Sequence, residues 1–226
     1  MGRVLFAGGK SSMTAPTGAV KLNVLTEGSI VKINENGTPV DFYIAKHNYE
    51  SSLNGNGRTL LIRSSSLITR GLFDEDSTKS NDYDVADINT YFENTYKPMF
   101  AESVQALIGT TSFYYTKRSY YSNNYVTTMS APFFIASLTE LGITSYDHNV
   151  EGSAIAVLST VYSNAYNGTR IWTRTSKTGT EIYFYTSNGN STSATAAGFS
   201  ADRLVIPMLT LPDTASFDIN TLICKE

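Results

Sequence analysis

Residues 28–47 read GSIVKINENGTPVDFYIAKH, and this stretch decides the fold class. Ile30–Ile33 and Pro39–His47 have strand character, and the Asn36-Gly37 pair between them marks a tight turn because both residues tolerate positive φ. In the second arm Val40, Phe42 and Ile44 share one face while Asp41 and Tyr43 share the other, the alternation of a half-buried strand. Short strands flank this hairpin, Val20–Val24 before it and Thr59–Arg63 after it. Upstream, residues 1–19 are small, polar and broken by Gly and Pro, and read as an arm.

Helical spacing takes over further along. Asp84 is placed to cap a helix whose apolar positions are Val85, Ile88, Tyr91 and Phe92, with Pro98 ending it near Lys97. A second helix over Glu102–Ile108 buries Val104, Leu107 and Ile108 and stops at Gly109. A third, short helix is expected from Ser137 to Leu141, before Gly142. The remainder returns to β structure. Residues 119–125 (SYYSNNY) and 162–168 (YSNAYNG) read as loops with aromatic tips. Glu181–Thr186 alternates, Asn188-Gly189 marks a turn, and Arg203–Leu211 is a final apolar strand. Strands, then helices, then strands again point to an α+β domain rather than βαβ repeats.

Composition narrows the function classes. The 226 residues suit one domain with short arms. A single cysteine, Cys224, forms no bridge within the chain. A net charge of −3 with dispersed Lys and Arg carries no footprint for nucleic acid or an anionic membrane. No apolar run approaches the roughly 20 residues of a membrane span. The apolar run Val4–Ala7 is short of the roughly 7–15 residues of an export signal, so no leader is expected. Fifteen tyrosines with 16% charged residues fit two readings, a contact surface rich in Tyr and Asn or ordinary strand propensity, and composition does not separate them.

Catalytic motifs do not assemble. Gly8-Gly9-Lys10-Ser11-Ser12 lacks the earlier glycine of a phosphate loop, since that position is Val4. His47 and His148 have no Gly-x-Ser-x-Gly elbow to serve, and read as surface or hydrogen-bonding histidines. Asp74-Glu75-Asp76, with Asn81-Asp82, could offer oxygens to Ca²⁺ but lacks the EF-hand glycine and distal glutamate, and reads as a solvated loop. No catalytic residue, metal or cofactor is expected.

Several stretches together resemble a known family. Residues 28–42 follow the pattern G-x-x-V-K-[IL]-N-x-N-G-x-P-x-x-F, and Leu60-Leu61-Ile62, Asn81-Asp82-Tyr83, Asp87–Phe92 and Phe133–Gly142 come in the family's order. Ile171-Trp172-Thr173-Arg174-Thr175-Ser176 stands where a Trp-Trp-Leu-Arg-Ser-Pro motif is usual, without its first Trp and its Pro, and Arg203–Pro212 stands at the usual Leu-x-Leu-Pro ending. These residues resemble a domain of unknown function common in gut Firmicutes and their phages, similar to the C-type-lectin-like and formylglycine-generating-enzyme superfamily. The resemblance implies an N-terminal hairpin, two main helices, and C-terminal antiparallel strands with long loops, with Trp172 anchoring the core. The superfamily's catalytic cysteines and its Ca²⁺-binding Glu-Pro-Asn or Trp-Asn-Asp signatures do not occur here, so neither activity carries over.

The expected organisation is an arm with the first strand over 1–27, the domain over 28–212 and a tail over 213–226. The expected function is non-enzymatic: a phage or phage-like virion protein of tail, baseplate or head appendage. Its partners would be other virion proteins or a host-surface glycan or protein, within a homo-oligomeric or larger assembly and with neither nucleic acid nor membrane insertion. Tyr120, Tyr121, Asn123, Asn124 and Tyr125 form the expected contact surface, followed by Tyr183 and Tyr185, and packing against the domain's own core is the competing reading for each. The alternatives are a structural decoration or scaffold protein and, more weakly, a glycan-modifying enzyme.

Overall fold

The structure, a computed structural model, describes residues 18–68, 73, 82–117, 125–143, 148–165, 170–178, 181–186, 193–196 and 203–225. In chain order its strands and helices are β1 (Ala19–Lys21), β2 (Ile30–Glu35), β3 (Thr38–Lys46), α1 (Ser51–Asn54), β4 (Arg58–Arg63), α2 (Asp87–Tyr91), α3 (Glu102–Ile108), β5 (Thr111–Lys117), β6 (Tyr125–Ala131), α4 (Ala156–Ala165), β7 (Arg170–Thr178), β8 (Glu181–Tyr185), β9 (Ser193–Ala196), β10 (Arg203–Leu204), β11 (Met208–Pro212) and β12 (Ser216–Asp218). The fold is α+β.

The principal sheet is antiparallel, in the order β11-β4-β3-β2. The hairpin β2–β3 turns at Asn36 (φ 50) and Gly37 (φ 77), the left-handed pair that an Asn-Gly turn supplies. Phe42 and Ile44 are fully buried, and Asp41 and Tyr43 are half-buried on the other face. A second sheet, β10-β7-β8-β9, is mixed, because β10 runs parallel to β7. β5 and β6 pair as a separate hairpin, and β1 pairs with β12.

Several expectations are corrected. The first long helix starts at Asp87 with Ala86 as its cap residue, while the Asp84 carboxylate instead takes the Lys117 ammonium at 2.6 Å and leaves Val85 half exposed. Beyond Tyr91 the helix widens into a π turn over Phe92–Tyr96 and then a 3₁₀ turn over Lys97–Met99, as Pro98 has no N–H to give to the turn before it. Ser137–Leu141 forms a single turn closed by Gly142 at φ +73. Part of the expected 162–168 loop is α4, whose Leu158, Val161 and Tyr162 are buried together with Ile155 at helical spacing. The expected last strand breaks in two at Ile206-Pro207, where the chain leaves β7 for β4. The expected tail is packed through residue 225: Phe217 is fully buried, and Lys32 donates its N–H to the Leu222 carbonyl while Cys224 donates to that of Lys32, each at 2.8 Å. That segment covers the outer edge of β2.

An aromatic core lies between the sheets. Phe113 and Phe134 stack at 4.4 Å, Tyr49 lies 5.7 Å from Phe134, and Phe133 meets Tyr96 and Phe100 at 4.9 and 5.4 Å. Phe134 also exchanges two backbone bonds with Met208, so one residue joins the aromatic cluster to the principal sheet. Trp172 is fully buried against Phe73 at 5.5 Å, and the buried Arg203 guanidinium lies 4.1 Å from both the Trp172 and Phe184 rings. Burial, helped by the nearby Arg170, brings the Arg203 pKa down to about 10.

Replacing Phe134 by Ala takes its ring out of the aromatic cluster while leaving the backbone bonds to Met208, and chemical denaturation should show a loss of about 3–5 kcal/mol.

Candidate functional site

The polar centre of the domain is built on Arg174 from β7. Its side chain is fully buried, and three protein oxygens hold it: Nε donates to the Tyr114 carbonyl at 2.8 Å, and Nη1 donates to the Ile135 carbonyl at 2.6 Å and to Glu140 Oε2 at 2.7 Å. Its guanidinium also lies over the Phe113 ring at 5.1 Å. Burial alone would pull the Arg174 pKa down, but the Glu140 charge and the other anions around it drive it up, so the cation is secure.

Glu140 is positioned by its own turn. Ser137 Oγ accepts the Glu140 N–H at 3.1 Å, and Glu140 Oε2 accepts the Ser137 N–H at 3.0 Å, the reciprocal bonding of a capping box wrapped around a single turn. Oε1 accepts the Tyr49 hydroxyl at 2.5 Å. Burial, then the Glu140 charge, raises the Tyr49 pKa well above the ordinary phenol value. Glu151 completes the centre: Oε1 accepts the Thr116 N–H and Oε2 the Thr175 hydroxyl, each at 2.5 Å. Burial raises the Glu151 pKa against the pull of Arg174. Tyr49, Glu140, Glu151 and Arg174 are closed to solvent and bonded to one another or to backbone, which is the arrangement of a structural clamp.

Open space adjoins this clamp. Glu50, Tyr114, Val126, Val150, Gly152 and Ser153 line a shallow pocket of about 350 Å³. Glu50 precedes α1 with φ 43 and ψ 58, a left-handed conformation uncommon for a residue with a Cβ. Its backbone carbonyl accepts the N–H groups of Leu53 and Asn54, which fixes that conformation. Its Oε1 is buried with no hydrogen-bond partner. A Cβ at Gly152 would stand 2.6 Å from that oxygen and push the Glu50 side chain aside, and the φ of +84 favours glycine there. Burial first, then the Glu140 charge, raises the Glu50 pKa, with Lys46 and Arg174 pulling the other way.

The expected contact residues divide. Tyr125, at the start of β6, is 49% exposed. Tyr183 and Tyr185 are each 3% exposed and belong to the core: Tyr185 meets Tyr162 edge-on at 5.5 Å and hydrogen-bonds Ser163 Oγ at 2.8 Å, and Tyr183 faces His148 at 6.2 Å. Tyr120, Tyr121, Asn123 and Asn124 lie outside the described residues, as do the glycine-rich stretch 8–12 and the acidic stretch 74–76. His47 bonds Thr59 Oγ1 at 2.7 Å and the Leu25 carbonyl at 2.8 Å, the hydrogen-bonding role expected of it. Among the described residues, no three His, Cys, Asp or Glu side chains group as metal ligands, and no helix is long and apolar enough to cross a membrane. Glu140, Glu151 and Glu50 were not among the residues singled out from sequence. Ser137-x-x-Glu140 was a legible capping signal for the first of them, whereas the pairing of Arg174 with Glu140 exists only in space.

A family model described as Domain of unknown function (DUF6273) matches residues 56–213. No curated protein and no solved structure matches the chain. The matched range includes Glu140, Glu151 and Arg174 and leaves out the hairpin β2–β3 and Glu50.

Arg174→Met should cost about 3–5 kcal/mol in chemical denaturation because two buried carboxylates lose their cation. Arg174→Lys should recover little of it, because an ammonium cannot reproduce the fork that reaches three oxygens. Glu50 and Glu151 bind protons more tightly folded than unfolded. Their contribution to stability is therefore full below the ordinary carboxylate pKa and is lost as pH rises through the folded values. A denaturation midpoint followed upward from mildly acidic pH should fall, and Glu151→Gln should flatten that fall.

Proposed function

The chain belongs to the DUF6273 family, and on that premise we propose that it is a non-enzymatic recognition domain of a phage or phage-like virion. The domain is C-type-lectin-like, and it binds a neighbouring virion protein or a host surface. The observation that carries this reading is the division among the tyrosines. Tyr183 and Tyr185 are used up in the core, while Tyr125 stands half exposed where β6 leaves the 118–124 connection, whose sequence adds Tyr120, Tyr121, Asn123 and Asn124. Tyrosine at such a position supplies large contact area at low entropy cost, and asparagine supplies adaptable hydrogen bonds. The locking of Glu140, Glu151 and Arg174 into the fold supports a binding role, because these groups have no free face to offer a substrate.

The purified chain should bind host cells or isolated cell-wall material saturably, and Tyr125→Ala combined with Tyr120→Ala and Tyr121→Ala should weaken that binding at least tenfold with no change in thermal stability. Co-purification with particles but no host binding would favour the scaffold role. Turnover of cell-wall polysaccharide by the isolated chain would overturn the non-enzymatic reading.

A further inference from the structure

The pocket beside Glu50 has a chemistry of its own. Tyr114, Val126 and Val150 give it apolar walls, and Glu50 and Ser153 supply polar atoms. The charges facing Glu50 come from three elements: Lys46 at the end of β3, Glu140 in its turn, and Arg174 on β7. The single charge of Arg174 already faces two fully buried carboxylates, Glu140 and Glu151, and Lys46 donates to Ser153 Oγ at 3.1 Å on the pocket rim. Counted together, Glu50, Glu140 and Glu151 outnumber Arg174 and Lys46 by one negative charge when all are ionised. Of the three carboxylates, Glu50 is the one that lines open space; the Ser153 backbone bonds its carboxylate, and its Oε1, just below the pocket surface, has no partner.

We propose that this pocket takes an alkylammonium group, the side chain of a lysine on a partner protein, with the ammonium at Glu50 and the methylene stem against Val126 and Val150. The inference rests on the recognition reading and names the chemistry of one contact. A lysine suits the walls better than an amino sugar does, since a sugar ring brings several hydroxyls and few polar side chains line the pocket to meet them. The Tyr114 ring adds an aromatic wall that a cation favours. Below the Glu50 pKa of the free protein, binding displaces the carboxyl proton to solvent, because the arriving cation favours the ionised form. Affinity therefore rises with pH, by up to about tenfold per unit below the Glu50 pKa of the free protein, and levels off above it.

The test is a titration of the full chain, followed by NMR chemical shifts, with n-butylamine, n-butanol, Nα-acetyl-lysine methylamide, glucosamine and calcium chloride. The two alkylammonium compounds should perturb Tyr114, Val126, Val150 and Gly152 with an affinity that climbs with pH, and n-butanol should not. Glu50→Gln should weaken the lysine derivative at least tenfold and remove the pH dependence, while Tyr125→Ala leaves both intact. Should the Gln variant fail to fold, the pH series and the butanol comparison on the unaltered chain decide alone. Equal binding of butanol and butylamine, absence of any shift, calcium binding at Glu50 without amine, or tighter binding of glucosamine than of the lysine derivative would each overturn the proposal. Any of these results leaves the cell-binding experiment, which reads Tyr125, to stand or fall separately.

Discussion

One guanidinium charge facing two buried carboxylates is the constraint around which the domain is arranged. Arg174 comes from the second sheet, Glu140 from the capped turn, and Glu151 from the strand-less segment after it, and their backbone partners lie on β5 and beside Phe134. Burying such a set is expensive in desolvation, and replacing it by apolar side chains of similar volume need not lower stability. What it does achieve is discrimination: any register of β7 other than the native one would leave charges in the core unpaired. The aromatic rings around it make the surroundings drier and each mistake costlier.

How far this was legible varies with the physics involved. The hairpin over residues 30–46 could be read because alternation and an Asn-Gly turn are local signals, and so could α3, with its apolar spacing and Gly109 at its end. α4 was hidden by its own surface. Ser159, Thr160, Ser163 and Asn164 gave the segment the look of a loop, although Ile155, Leu158, Val161 and Tyr162 kept helical spacing beneath them. Tyr183 and Tyr185 sit on alternate positions that both turned out to be covered, because β8 has neighbours on its two edges and packing on both faces. Arg174 could be quoted within a motif, yet its partners are 34 and more residues away in the chain, and no local pattern states that they meet.

The clamp and the pocket are connected in a simple way. Tyr49 is tied to Glu140, so the next residue, Glu50, is delivered to the rim in an unfavourable backbone conformation, and Gly152 is held near it by the bonds of Glu151. The conformation of Glu50 is thus held from two sides, by the Tyr49–Glu140 bond before it and by the Leu53 and Asn54 N–H groups its carbonyl accepts. Its proton affinity is set by partial burial and by the charges of Glu140, Lys46 and Arg174 around it.

The pairing of β1 with β12 bears on the order in which the domain can assemble. Lys21 reaches Thr214 and Ser216 across 193 and 195 residues of chain, and the segment that follows β12 then lies along β2. Contacts between such remote segments repay their loop-closure entropy only after everything between them has condensed. During synthesis, therefore, the outward edge of β2 stays unpaired until residues 222–224 emerge, and in that interval a nascent chain offers its neighbours on the same messenger a bare strand on which to misassociate.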